Sequence, residues 1–370
     1  MIAELAERQL VVCCGAGGVG KTTISAALAL RLASQGSRTV VVTIDPARRL
    51  ATALGMNGLS DQPQRVPADD ALAGTGGELW ALQLDAKATF DRLVARYSDD
   101  DEARDRILGN RIYRHLSGAV AGAQEYMAVE RLHELVDEGG FDHIVLDTPP
   151  ATNALDFLDA PQRITRFIEG RALRMLVRPG MAAGGLGWKI LHAGSGTVLS
   201  LLERLTGAQL LRDLGDFLAG FDGMYQGFAE RAQAVRALLL SGRSAFIVVA
   251  APEPDALGQA VALTGRLDEE GFSLFGVVLN RVHWLPPGGL PRLDALTAAL
   301  GAAGAADPQS LARRAATTIE EEQVLGLRDL DAREGLHGAI GGRRVVEVPA
   351  FAREPVELTG IAEVGAALGT

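Results

Sequence analysis

The densest chemistry in this 370-residue chain lies in one short run, Gly15-Ala16-Gly17-Gly18-Val19-Gly20-Lys21-Thr22-Thr23. It follows an apolar stretch, opens an Ala-rich one, and satisfies G-x-x-x-x-G-K-[ST]. Glycines at these places let the backbone wrap a phosphate chain with its N–H groups pointing inward. A helix beginning at the lysine adds positive potential there. Lys21 is then placed to reach β- and γ-phosphates, and Thr22 to offer a hydroxyl to Mg²⁺. Two other readings use the same residues. One is an ordinary glycine-rich turn with a chance lysine. The other is a dinucleotide fingerprint, because Gly15, Gly17 and Gly20 also spell G-x-G-x-x-G and Asp45 ends the next strand. Lys21 and Thr22 have no role in that second reading, and the fingerprint alone is a weak signal.

Two acids at strand ends extend the constellation. Asp45 opens Asp45-Pro46-Ala47-Arg48-Arg49-Leu50, where a carboxylate could orient attacking water or take its proton beside a γ-phosphate. Asp147 opens Asp147-Thr148-Pro149-Pro150-Ala151-Thr152-Asn153, and an acid at that strand end fits the role of holding Mg²⁺ directly or through water. Taken singly, each could be no more than a turn-capping Asp, the second followed by a Pro-Pro bend.

Such residues need a scaffold that brings strand ends together. Seven β-rich runs are present: Leu10–Cys14, Thr39–Ile44, Leu79–Leu84, His143–Leu146, Phe246–Ala250, Gly276–Leu279 and Arg344–Val348. Most are near-continuous Val, Ile and Leu, as in strands buried on both faces of a parallel sheet. Helical patterns at Ile24–Ser34, Ala123–Glu138 and Pro254–Glu270 separate them. The alternation predicts a doubly wound α/β fold with its ligand crevice at the carboxyl ends of the strands. Asp45, Asp85, Asp147, Glu253 and Asn280 all follow or end such runs, although Asp85 could simply start a helix. Residues 157–240 read as a strandless helical insert within a single domain spanning 1–370. Gln62–Gly77 reads as a loop, and Leu285–Pro308 as a Pro/Ala/Gly-rich surface excursion.

Composition closes off several classes. With 48% hydrophobic residues, most of the chain is not disordered. The 46 acidic against 36 basic residues give a net charge of −10, which disfavours nucleic acid as a partner. No run of about 18 uncharged apolar residues occurs. The N-terminal stretch carries acids and does not read as a leader. The expected compartment is the cytoplasm, with peripheral attachment to a membrane left open. The only two cysteines are adjacent, so no disulfide scaffold is expected, and without a C-x-x-C or the four sulfurs of a Cys₄ site no zinc site is expected.

Taken together, the motifs resemble the arsenite-pump and tail-anchored-protein-targeting ATPases, the ArsA-type branch of the deviant-Walker P-loop NTPases. The likeness covers nearly the whole chain and is nearest to actinobacterial members. It rests on the loop at 15–23, on D-P-A-R at 45–48 as a first switch and on D-T-P-P-A-T-N at 147–153 as a second. Ala123-Gln124-Glu125-Tyr126 stands where the family has an acidic helix start, and Ala251-Pro252-Glu253-Pro254 resembles its adenine loop. The resemblance implies a mostly parallel sheet of seven to eight strands flanked by helices, with ATP and Mg²⁺ as ligands. It also implies an adenine pocket from Asn280, Pro349 and Phe351, and a dimer, either with itself or with a paralogous ATPase. The insert falls where targeting members hold a hydrophobic protein client; packing on its own domain or a dimer contact is the other reading. This chain departs from the family where the signature lysine, second in the loop, is Ala16. In relatives that lysine reaches across the dimer, so a homodimer is expected to be slow, with Arg48 and Arg49 the nearby cations. Arsenite binding, which needs several thiolates, is disfavoured by the two cysteines.

Overall fold

Val, Ile and Leu runs with both faces covered assemble into one eight-stranded sheet in a computed structural model that describes residues 1–98, 100–110, 123–149, 225–285 and 292–369. Across the sheet the order is β3 (Gln64–Arg65), β4 (Glu78–Gln83), β2 (Arg38–Thr43), β5 (His143–Asp147), β1 (Leu10–Gly15), β6 (Ser244–Ala250), β7 (Leu274–Val282) and β8 (Val345–Pro349). Every pairing is parallel except the short edge contact of β3 with β4. The seven runs read from the sequence are the seven parallel strands. The eighth, β3, lies in the segment read as the loop Gln62–Gly77; two residues of antiparallel edge leave no periodicity to read.

The described helices are α1 (Ile2–Leu5), α2 (Lys21–Ala33), α3 (Arg49–Ala53), α4 (Ala86–Tyr97), α5 (Asp101–Gly109) and α6 (Ala123–Glu138), then α7 (Tyr225–Leu240), α8 (Pro254–Glu269), α9 (Leu293–Ala302), α10 (Pro308–Ala339) and α11 (Glu357–Leu368). Asp85 is the cap of α4, its carboxylate accepting from the Ala88 N–H at 3.0 Å, so its role is local. Within the stretch read as a surface excursion, α9 is helical. It nonetheless stays at the surface, with none of its residues buried.

Alternation along β1 divides the interior into two cores. Leu10, Val12 and Cys14 point into one, with Leu93 of α4, Leu132 of α6 and Leu263 of α8. Val11 and Cys13 point into the other, with Ile24 and Leu28 of α2 and Val364 of α11. On the first side buried ion pairs brace the helices. Arg131 of α6 meets Glu134 at 2.7 Å, and Arg231 of α7 pairs with Glu130 of α6. Of the insert 157–240, only α7 lies within the described residues.

β1 is central, with β5 on one side and β6 on the other. The loop after β1 therefore hangs over the middle of the sheet, between the carboxyl ends of its neighbours.

Candidate phosphate-binding site

The loop begins where β1 runs out of room. A side chain at Gly15 would place its Cβ 2.1 Å from the Val249 carbonyl oxygen of β6, so only glycine fits. At the far end Gly20 has φ +92° and serves as the N-cap of α2. Its missing Cβ would stand 2.3 Å from the Asn280 amide nitrogen. Because glycine offers no capping side chain and the first turn of α2 holds no acid, the first N–H groups of α2 are left for a ligand.

Lys21 is buried, and its Nζ donates to the Ala16 carbonyl at 2.8 Å, folding the lysine back across the loop. Burial lowers its pKa from the ordinary value, while the carboxylates of Asp147 and Asp45 partly offset that effect. Thr22, one residue on, donates its hydroxyl to Asp147 Oδ2 at 2.8 Å. Thr43, at the end of β2, donates to the same oxygen at 3.0 Å. The other oxygen, Asp147 Oδ1, is buried without a hydrogen-bond partner. Only 1% of Asp147 is exposed, and burial pushes its carboxyl up to about 6, against the two hydroxyl bonds that pull it down.

Asp45 sits two residues beyond β2, beside that centre but outside it. Its Oδ1 accepts from the Ala47 N–H at 2.9 Å, and its Oδ2 lies 3.6 Å from the exposed Arg49 guanidinium. Its backbone is pinned by Gln83, which donates to the Asp45 carbonyl at 3.0 Å, and by its own N–H, which donates to Thr43 Oγ1 at 3.2 Å. An open cavity of about 620 Å³ lies over these groups, lined among others by Gly18, Lys21, Thr22, Asp45, Arg48 and Arg281.

The geometry thus gathers Gly15, Gly18, Val19, Gly20, Lys21, Thr22, Asp147 and Asp45 at one end of the central strands. Gly17 is exposed at the tip of the loop, and Thr23 lines the cavity. Asn280 is buried under the loop, its amide donating to the Val19 carbonyl at 2.9 Å. Pro349 ends β8 beside it, in register with Val282, and the half-buried Phe351 packs on the core beneath α2. None of these three lines the cavity. Glu253 caps α8 with Pro254 in its first turn. The side chains of residues 123–126 and the whole of 150–153 lie outside the described residues.

Sequence reading missed three residues. Thr43 and Thr148 are hydroxyls beside the two acids; the strings T-I-D and D-T were the available signal. Thr148 donates to the Cys13 carbonyl at 2.8 Å, tying the second acid's turn to β1. Arg281, which donates to the Gly18 carbonyl at 3.1 Å, gave no signal at all.

The family model for anion-transporting ATPases matches residues 8–286, which include all of β1, the loop, both acids and Asn280. The chain belongs to the anion-transporting ATPase family. Its similarity within that family is spread over differently named members. It is 27% identical to ATPase ARSA1 of Chlamydomonas reinhardtii over 75% of this chain and 35% of that protein. It is 32% identical to the arsenical pump-driving ATPase of Escherichia coli over 42% of this chain and 26% of that one. With ATPase GET3 of Malassezia globosa it shares 24% identity over 75% of this chain and 74% of the relative. The aligned parts thus span well under half the length of the first two relatives.

Proposed function

We propose that this member of the anion-transporting ATPase family binds ATP with Mg²⁺ at the loop 15–23 and hydrolyses it by in-line attack of water on the γ-phosphate. The observation that carries the reading is the Thr22–Asp147 pair. A hydroxyl and a carboxylate meet at 2.8 Å directly beneath a glycine-lined helix N-terminus, and one carboxylate oxygen is left without a partner. Hard oxygen donors so placed fit a divalent cation, held directly or through water. Thr22 and Asp147 are the residues to hold Mg²⁺, which when bound neutralises charge on the phosphates. Lys21 and the loop N–H groups cradle those phosphates. Asp45, partly exposed at the rim, orients the water and takes its proton.

ATP binding is read as switching a dimer between two forms, the Asp45 and Asp147 turns being the elements that change. The dimer could be with itself or with a paralogous ATPase, and a hydrophobic protein client on the insert would link the cycle to targeting or chaperoning. No helix among the described residues is long and apolar enough to cross a membrane. A second reading, a nucleotide-binding partner with little turnover of its own, is favoured by Ala16. Its side chain is only 5% exposed and its carbonyl holds Lys21, so the loop offers no outward cation at that position. An arsenite-pump role gains nothing from Cys13 and Cys14. Both are buried in β1, and burial raises both thiols, Cys13 to about 12.

Steady-state ATPase measurements on the purified chain, with and without Mg²⁺ and alongside Lys21→Ala, test the reading. The expected result is Mg²⁺-dependent turnover, lost in the variant. ATP affinity and turnover unchanged by Lys21→Ala would sink the assignment. Nucleotide binding that is sensitive to Lys21, with no turnover even in the intact chain, would favour the regulatory reading.

A further inference from the structure

Pairing between β7 and β8 breaks at one point. Leu279 faces Glu347 and Val282 faces Pro349, so Asn280 and Arg281 together stand opposite the single residue Val348. That is a β-bulge, a device that re-aims side chains beside functional sites. In an unbroken strand the two side chains would point to opposite faces. Here both turn onto the phosphate loop and donate to consecutive carbonyls, Asn280 to Val19 and Arg281 to Gly18. The bulge places Arg281 at φ +63°, in the left-handed region that side chains other than Gly, Asn and Asp seldom occupy. Glycine would adopt that backbone freely, yet the chain carries a long cationic side chain there.

The guanidinium lines the same cavity as Lys21, Thr22 and Asp45. It has five N–H donors, and the Gly18 carbonyl engages one nitrogen. Arg281 is exposed, whereas Asn280 beside it is buried. Of the other arginines on the cavity, Arg49 is paired with Asp45. Arg48 is an exposed residue at the head of the five-residue helix α3.

We propose that Arg281 is a second cation of the nucleotide site, tied in cis to the phosphate loop through Gly18 and binding the phosphates of the nucleotide alongside Lys21. This rests on the ATP-binding reading above. Arg281 fixes the rim of the loop while the nucleotide is away and adds a planar, permanently charged donor when it arrives.

The test is a titration of the full chain with a fluorescent ATP analogue and Mg²⁺, together with thermal melts. Arg281→Gly suits the backbone at this position and removes the cation. It should melt at or above the temperature of the parent chain, yet bind the analogue about 10-fold or more weakly. Arg281→Asn, which also tolerates the left-handed backbone, should show the same loss and serves if the glycine variant folds poorly. Arg281→Lys keeps the charge and should recover part of the affinity. Equal losses in all three variants would assign the effect to loop geometry and overturn the proposal. Binding at the parent level in the Gly and Asn variants, with binding lost in Lys21→Ala, would overturn the proposal and leave the ATP site standing. Binding that Lys21→Ala leaves untouched would overturn both.

Discussion

Asp147 and Asp45 are the same residue type, stand at the ends of adjacent strands, and live in opposite environments. Asp147 is in register with Thr43, buried, and held by two hydroxyls on one oxygen. Asp45 lies two residues past Thr43, its side chain 21% exposed and held by one backbone N–H and a solvent-facing arginine. Burial makes a carboxylate rigid and costly to ionise, whereas a partly exposed one has room to move. The first arrangement suits a fixed point beneath a cation. The second suits a group that must meet water as a site closes.

Removing the fixed acid should have the largest effect. Asp147→Asn is expected to cut Mg²⁺-dependent turnover by roughly 10³-fold or more, since metal-assisted charge stabilisation is worth several kcal/mol. The readout is kcat across a Mg²⁺ titration, and turnover near that of the parent chain would erase the distinction between the two acids.

Asp45→Asn should lower kcat by about 10²-fold while leaving ATP affinity close to that of the parent, the range expected for loss of a general base. Weakened binding with unchanged turnover per bound ATP would instead move Asp45 to the phosphate or cation side.

The contrast also predicts a pH signature in the ligand-free chain. The carboxyl of Asp147 titrates near 6 when folded, against an ordinary 3.8. Between about pH 4 and 6 the folded chain therefore binds the extra proton. Stability falls as pH rises through that window, by roughly 3 kcal/mol in all, and stays lowered above it. Urea unfolding of the parent chain and Asp147→Asn at about pH 4 and pH 7 isolates this contribution. The variant should gain on the parent as pH rises, and a constant difference would mean that Asp147 is ionised without penalty.

The smallest effect concerns the link between the acids. Thr43 donates to Asp147 and accepts from the Asp45 N–H. Thr43→Val keeps the shape and loses both bonds, which should cost about 1–2 kcal/mol of stability. Thr43→Ser should cost less. If Val and Ser behave alike in chemical denaturation, the hydroxyl joins nothing of consequence.

How far the sequence disclosed this arrangement follows from the range of the forces involved. The loop was legible because its requirements are local: a glycine at the helix cap, a lysine after it, an apolar strand before it. Asp45 and Asp147 were legible because parallel strands read as apolar runs and end in polar residues. The demand on Gly15 comes from Val249, far along the chain, so the sequence shows the glycine without its cause. The turning of Arg281 onto the loop depends on a bulge against β8, and V-L-N-R-V looks like any strand. The surface position of residues 292–308 was legible from their small side chains, but the helix α9 among them was not. Its leucines and alanines form a helix that packs on α10 with no residue fully buried.

Cys13 and Cys14 are the only thiols in the chain, and they occupy successive positions on the central strand. One side chain enters each core. Burial keeps both protonated and unreactive, so an alkylating reagent can reach either one only after the layer covering it has lifted. The pair is therefore a built-in two-channel clock for opening of the molecule. Adducts counted separately on Cys13 and Cys14 would time the parting of the α2–α11 layer against that of the α4–α6–α8 layer, with no label added to the protein.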